Sequence, residues 1–271
     1  MVKLHVIFVV VLLPLMASLC AEELGKMWGT AEEEAKYYPI VNIPIPKGLP
    51  MRPGSFEVLP DGRLAVGTRK GDIYFIKGAF DTRPDPSYHL FATGQDEIFG
   101  LSWKDGVMTT TQFGELTKIS DVDGDDVADR YDTLTNNWGY AEGHEFAFGS
   151  KHDSDGNIWV ALGLSASYHS RNIFRGWAVK VTPDGKMIPV CSGLRSPGGV
   201  AANAEGAMFT IESQGPWNGS CSLKHLKPGG FLGHPASYNW YPFVPDMDTP
   251  SVTPNTASRF QVEKKRVKEL V

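Results

Sequence analysis

Phe56-Glu57-Val58-Leu59-Pro60-Asp61-Gly62-Arg63-Leu64-Ala65-Val66-Gly67-Thr68 sets an acid-glycine turn between two apolar runs of β-type residues. Such a pair favours a tight turn because glycine enters positive φ without a Cβ clash. A second turn at Lys70-Gly71-Asp72 leads into Ile73-Tyr74-Phe75-Ile76. The acid-glycine pair then recurs as Asp105-Gly106, Asp155-Gly156 and Glu205-Gly206, at intervals of 44, 50 and 50 residues. Around Asp105 the strand-turn-strand order repeats, from Leu101-Ser102-Trp103 through Val107–Thr111 and Phe113-Gly114-Glu115 to Leu116-Thr117-Lys118-Ile119. Units of about 40–50 residues with three or four strands have the period of propeller blades, which a β-sandwich lacks. The expected fold is an all-β propeller with about four blades between Phe56 and Trp240.

The 271 residues include 29 Gly and 19 Pro, yet 42% are hydrophobic. That balance suits short strands joined by turns and excludes a coiled coil or a disordered tail. Net charge is −5, and no basic tract occurs before the last dozen residues, so nucleic acid is excluded as a partner. Thr30-Ala31-Glu32-Glu33 fits a capping box and predicts one short helix before Tyr37.

At the start, Val6 to Leu13 is apolar, Pro14 interrupts it, and Glu22-Glu23 follows. The run is too short for a bilayer span and reads as a signal peptide over residues 1–21, for a periplasmic, cell-surface or secreted protein. An uncleaved anchor, or lipidation at Cys20 despite the large Leu19, are the two ways this N-terminus would reach a membrane. Residues 22–38 read as a linker with the short helix, 39–240 as the blades, and 241–271 as a connecting segment or the truncated start of another blade. Cys191 and Cys221 either pair or stay as two thiols; the spacing decides neither.

Asp121-Val122-Asp123-Gly124-Asp125-Asp126-Val127-Ala128-Asp129-Arg130-Tyr131-Asp132 is the sharpest local motif. Acids at loop positions 1, 3, 5, 9 and 12 (Asp121, Asp123, Asp125, Asp129, Asp132), with the Val127 carbonyl at position 7, match the calcium loop of the EF-hand type. Asp126 departs from the glycine of position 6, and Asp132 from the glutamate of position 12. The other reading is a solvated acidic turn between strands. Carboxylates this dense repel one another without a cation, which favours calcium in a structural role.

Three more stretches carry functional side chains: Gly143-His144-Glu145-Phe146-Ala147-Phe148-Gly149, Gly193-Leu194-Arg195-Ser196-Pro197-Gly198-Gly199, and Glu212-Ser213-Gln214-Gly215-Pro216-Trp217. They come from different repeats and would converge at a propeller's channel. With the blade turns, they resemble the glucose/sorbosone dehydrogenase family of soluble quinoprotein sugar dehydrogenases, and within it exported proteins labelled membrane-bound dehydrogenases. The resemblance runs from about Tyr37 to Trp240. It implies a six-bladed propeller, of which this chain carries four blades and ends before the ring closes. It also implies that His144 is the base taking a sugar hydroxyl proton while hydride passes to pyrroloquinoline quinone. On the same footing Arg195, Ser196 and Gln214 would bind the quinone, and carbonyls of Gly215 and Pro216 would hold a second calcium. Ser196 replaces the family's Asn, and Leu162-Gly163-Leu164 stands where Gly-Asp is common. His144 as a structural residue and Arg195 as a channel ion-pair residue are the competing readings.

No histidine pair has zinc-ligand spacing, and no dinucleotide, phosphate-loop, nucleophile-elbow or haem-attachment motif occurs. Asn218-Gly219-Ser220 is a glycosylation sequon only if the source glycosylates. Trp138, Trp159, Trp177 and Trp217 would serve either sugar stacking or blade cores. The function readings are a calcium-dependent quinoprotein oxidising a sugar or polyol, a non-catalytic propeller binding a glycan or protein, and a scaffold domain of an electron-transfer protein.

Overall fold

A computed structural model describes residues 31–140, 144–215 and 217–250, in two compact units. One comprises Met1–Pro44 with Phe80–Asp85. Its described part carries α1 (Ala31–Glu34), where the Glu-rich segment predicts a helix. The other unit, Ile45–Ala79 with Pro86–Val271, holds the sheets. The predicted signal peptide over 1–21, the segment 251–271, Gly143 and Pro216 lie outside the described residues.

Four antiparallel sheets follow one another along the chain. The first has β1 (Pro53–Val58), β2 (Leu64–Thr68), β3 (Ile73–Lys77) and β4 (Ser87–Ala92). The second has β5 (Gly100–Lys104), β6 (Val107–Thr111), β7 (Leu116–Ser120) and β8 (Arg130–Thr135). The third has β9 (Ala147–His152), β10 (Ile158–Leu162), β11 (Trp177–Val181) and β12 (Met187–Ser192), and the fourth β13 (Pro197–Ala202), β14 (Met208–Glu212) and β15 (Ser222–His225). Sequence neighbours are hydrogen-bonded neighbours throughout, so each sheet is a meander, and the four form the β-propeller that the repeat predicts.

Each acid-glycine pair lies between the first and second strands of its blade. Gly62, Gly106, Gly156 and Gly206 all take φ between 81 and 85°, which a side chain would resist. At Asp105-Gly106 the hairpin is tightest: Lys104 pairs with Val107, and Asp105 itself sits at φ 50°.

The hydrophobic core is split into layers between blades. Ile73, Phe75, Phe91, Leu101 and Met108 fill the first interface, Leu116, Trp138, Val160, Leu162 and Trp177 the second, and Ala161, Val190, Leu194, Met208 and Leu226 the third. A blade covered on both faces needs apolar residues in succession, and β2 and β10 are buried at every position. The first strands of all four blades line one axial cavity of about 300 Å³. β5 meets β9 there through glycine: a Cβ on Gly100 would lie 2.1 Å from the Gly149 backbone. After β15, Pro235–Phe243 forms a 3₁₀ helix pinned to the third blade, by Trp177 Nε1 to the Ser237 carbonyl (2.9 Å) and by Ser192 and Tyr241 hydroxyls (2.6 Å).

Candidate functional site

Alternating strand direction gives every blade two ends. The acid-glycine turns occupy one. Starts of first strands and ends of second strands occupy the other, so His144 ahead of β9, Arg195 and Ser196 ahead of β13, and Gln214 and Gly215 behind β14 all stand there. The last two stretches are on one blade and not on different repeats as expected. The acidic loop joins β7 to β8 at the turn end. The two groups of predicted site residues are therefore at opposite ends of the blades, and a cation in the loop has no direct part in chemistry near His144.

Within the loop, carboxylate oxygens of Asp121, Asp123 and Asp129 lie within 4.8 Å of one another. Asp125 and Asp132 stand outside this group. Asp125 accepts the Val127 N–H at 2.8 Å, and Asp132, on β8, pairs with Arg130 at 2.7 Å. Burial pushes the Asp121 carboxyl up, but the N–H groups of Gly124 (2.7 Å) and Asp126 (2.8 Å) outweigh it and hold it below the usual range. Asp125 and Asp129 push the Asp123 carboxyl up by repulsion. A divalent cation would relieve that repulsion, and hard carboxylate oxygens suit calcium. Position 6 is solved without glycine: Asp126 takes φ 67°, and Arg63 holds its carboxylate through two hydrogen bonds of 2.9 and 3.0 Å.

At the opposite end, Arg195 is nearly buried, at 9% exposure. Its Nη1 donates to the Gln214 carbonyl (2.9 Å) and Ser213 Oγ (3.2 Å), while Nε is buried without an acceptor. Gly215 lies flat on the guanidinium, since a Cβ there would fall 2.2 Å from Arg195 Cζ. The Gly215 carbonyl accepts the Asn218 N–H at 3.0 Å. Beneath them Glu212 Oε1 accepts the N–H groups of Arg195 (2.9 Å) and Ser196 (2.7 Å), which aims the β13 entry. Burial raises the Glu212 carboxyl, against the pull of those N–H groups and of Lys224 Nζ at 3.7 Å.

His144 is exposed, at φ 71°, edge-on to Phe146 at 5.7 Å between ring centres. Phe146 in turn meets Phe99 (4.8 Å) and Phe113 (5.2 Å), and Arg69 lies over Phe99 at 5.4 Å. His144 and Arg195 are linked through backbone: Gly163 N–H binds the Phe146 carbonyl (2.8 Å) and Leu164 N–H the Arg195 carbonyl (2.9 Å). The stretch Leu162-Gly163-Leu164 is thus a strut between the two segments.

Sequence reasoning passed over Arg175, which is fully buried and anchors the His144 segment. Its guanidinium donates to carbonyls of Phe113 (2.7 Å), Gly139 (2.7 Å), Glu145 (2.5 Å) and Phe146 (3.0 Å). Burial lowers it to about 10, with the buried Glu145 carboxylate acting in the other direction. Glu145 accepts from Ser165 Oγ and from Asn172 Nδ2 (2.5 Å). A buried cation on several carbonyls has no signature in a single sequence.

Other expectations resolve by burial. Trp138, Trp159 and Trp177 belong to the core, whereas Trp217 lines an open cleft. Cys191 is buried and Cys221 exposed, and both are free thiols, so the disulfide alternative falls away. Asn218 of the sequon is 9% exposed and donates Nδ2 to the Ser213 carbonyl at 2.7 Å, so its amide is not presented for glycosylation. No helix among the described residues is long and apolar enough to cross a membrane.

A family model described as "Domain of unknown function (DUF7133)" matches residues 90–260. No curated protein matches the chain in sequence. Among solved structures the chain is similar to the PQQ-bound form of aldose sugar dehydrogenase from Streptomyces coelicolor, at 18% identity and TM-score 0.53, covering 70% of this chain and 64% of that one. It is also similar to the holo form of the pyranose dehydrogenase PQQ domain from Coprinopsis cinerea (13%, TM-score 0.52, 70% and 56%). A calcium structure of carbohydrate-active enzymes family AA12 from Trichoderma reesei is a third (12%, TM-score 0.54, 73% and 55%). At these identities the likeness is one of fold, and the chain spans less than two thirds of the length of each.

Proposed function

The chain belongs to the DUF7133 family, and from that premise we propose that it is part of an exported, calcium-binding quinoprotein that oxidises a sugar or polyol. The observation that carries this reading is the gathering of His144, Arg195, Ser196, Gln214 and Gly215 at one end of adjacent blades in a propeller of the sugar-dehydrogenase type. Their chemistry fits a bound quinone in kind: a cation for its carboxylates, hard carbonyl oxygens for its calcium, and an imidazole for a proton. The quinone would supply the two-electron acceptor. Arg195, with its unpartnered Nε, together with Ser196 and Gln214, would hold it. His144, exposed beside Phe146, would take the proton of the substrate hydroxyl. Gly215 and Pro216 would offer carbonyls to the calcium beside it. The cation at Asp121, Asp123 and Asp129 would serve folding alone, from the far end of the blades.

The test is reconstitution of the full-length protein with pyrroloquinoline quinone and Ca²⁺. Binding of the quinone and dye reduction with aldoses or polyols are expected, with turnover lost in His144→Ala while the quinone still binds. Neither binding nor turnover over a broad sugar panel would sink the reading. One observation favours a second reading, a non-catalytic propeller that binds a glycan: the Arg195 guanidinium already holds Gln214 and Ser213. Glycan binding without any quinone binding would decide for it. Export is tested by sequencing the N-terminus of the protein recovered outside the cytoplasm.

A further inference from the structure

Two tight turns border an open cleft of about 510 Å³, the size of a small-molecule site. The first, in the β10–β11 connection, joins Ser165 to His169: the Ser165 N–H donates to the His169 carbonyl (2.8 Å) and the His169 N–H to the Ser165 carbonyl (3.0 Å). The second, behind β14, joins Gly215 to Asn218 in the same way, at 2.7 and 3.0 Å. Each turn holds backbone that side chains resist, with Ala166 at φ 47°, Ser167 at 62° and Trp217 at 66°. Each also brings one aromatic residue to the cleft, Tyr168 from the first and Trp217 from the second. Both turns are tied to the candidate site. Ser165 Oγ donates to the carboxylate of Glu145, the neighbour of His144, and the Leu164 N–H binds the Arg195 carbonyl at 2.9 Å. Arg195 Cζ lies 5.8 Å from the centre of the Tyr168 ring, and Gly215 lies flat on the same guanidinium. The cleft therefore adjoins the end of the blades where His144 and Arg195 stand.

The lining says what kind of molecule fits. The guanidinium covers one face of Tyr168, yet the residue is 49% exposed, so the ring offers its other face. An apolar ring face with a polar edge suits the C–H face of a pyranose. His169 and Asn239 are exposed and line the cleft as well. Asn239 Nδ2 donates to the Ser170 carbonyl at 3.3 Å, which orients the amide and leaves Oδ1 to accept. The 3₁₀ helix that carries Asn239 is capped by His234, whose Nδ1 accepts the Ala236 N–H at 3.2 Å. A neutral imidazole has one donor and one acceptor nitrogen, so His169 and Asn239 both donate and accept. A sugar hydroxyl does the same, whereas an anion only accepts.

We propose that this cleft binds a neutral pyranose ring of an oligosaccharide, stacked on Tyr168 and Trp217 and hydrogen-bonded by His169 and Asn239, so that the protein takes a sugar chain in preference to a monosaccharide. The cleft adjoins the proposed quinone site but needs no quinone. Titration without quinone reads the cleft and dye reduction reads the reaction, so each reading fails independently of the other. Calorimetric titration of the full-length protein, without quinone, compares cellotetraose and maltotetraose with glucose. One tetraose should bind about tenfold more tightly than glucose, or better, with an affinity insensitive to salt. Tyr168→Ala should lower that affinity about tenfold, whereas Tyr168→Phe should keep it, because the ring face makes the contact. Asn239→Ala, also at an exposed position, should weaken binding severalfold and provides the test should Tyr168→Ala misfold. Equal affinity for glucose and both tetraoses, or a tetraose affinity that neither Tyr168→Ala nor Asn239→Ala lowers, would overturn the proposal.

Discussion

Arg63 and Asp126, on different blades, are joined by two hydrogen bonds of 2.9 and 3.0 Å. Arg63 follows the acid-glycine turn of the first blade and also binds Asp61 at 2.6 Å, and its guanidinium lies 4.8 Å from the centre of the Phe75 ring. One arginine thus ties the first repeat turn, the first core layer and the acidic loop of the second blade. Asp126 is held at φ 67°, a conformation that costs a non-glycine residue about 1 kcal/mol or more.

The first prediction separates the ion pair from that strain. Asp126 is half exposed, so solvent screening leaves the pair worth about 1 kcal/mol. Arg63→Ala should lower the unfolding free energy by at least that much, since it also removes the contacts to Asp61 and Phe75. Asp126→Gly should cost less, because glycine relieves the backbone. In an Arg63→Ala background Asp126→Gly should therefore be stabilising. Urea denaturation of the four proteins checks the sign; a destabilising Asp126→Gly in that background would refute the strain argument.

A second prediction concerns the cation. Chelation should lower the melting temperature reversibly, and Asp123→Asn should abolish that calcium response. The same substitution should raise the melting temperature of the calcium-free protein, because Asp125 and Asp129 hold the Asp123 carboxyl above its ordinary value. The sign follows by linkage: the folded state keeps this proton longer, so calcium-free stability falls as pH rises above about 3.8, Asp123's ordinary value. A melt insensitive to both chelator and substitution would reduce the loop to an acidic turn.

The blades were legible because Asp61-Gly62, Asp105-Gly106, Asp155-Gly156 and Glu205-Gly206 obey a local rule, positive φ at the second residue, which a sequence states directly. The loop was legible in part. Its spacing points to Asp121, Asp123, Asp125, Asp129 and Asp132 with the Val127 carbonyl. The fold gathers Asp121, Asp123 and Asp129, while Asp125 turns to the Val127 N–H and strand pairing draws Asp132 into β8 beside Arg130, which loop spacing does not encode. Arg175 and His234 escaped notice for a different reason. Their roles come from burial against segments distant along the chain, and neither sits in a spacing that marks it. The burial of Asn218, which turns inward to Ser213, is hidden from the sequence for the same reason.

The third prediction is that Arg175 supports the segment carrying His144. Arg175→Ala would remove the positive charge near the buried Glu145 carboxylate, which Ser165 and Asn172 still hold, and leave carbonyls of Phe113 and Gly139 without their donor. Each buried carbonyl left without its donor costs about 1–3 kcal/mol. A Glu145→Gln partner substitution should recover part of the loss, since it removes the negative charge that Arg175 no longer balances. Thermal melts of the two single variants and the double variant measure this. Strictly additive losses would argue that Arg175 acts on the carbonyls alone.

The last prediction concerns acid. His234 is held near 3 in the fold against an ordinary value of 6.5, so it is neutral when folded and binds a proton on unfolding. Its stabilisation is complete above 6.5 and is lost as pH falls from there toward 3, by about 1.4 kcal/mol per pH unit. Glu212 works in the opposite sense above its ordinary 4.5, because burial raises its carboxyl and the folded state keeps the proton longer. The wild-type slope is therefore a net quantity, and comparison with His234→Asn isolates the histidine. The stability difference between the two proteins should be flat above pH 7 and should shift against the wild type on acidification from 6.5 to 5. A difference constant across that range would mean that His234 is protonated or solvated in the fold.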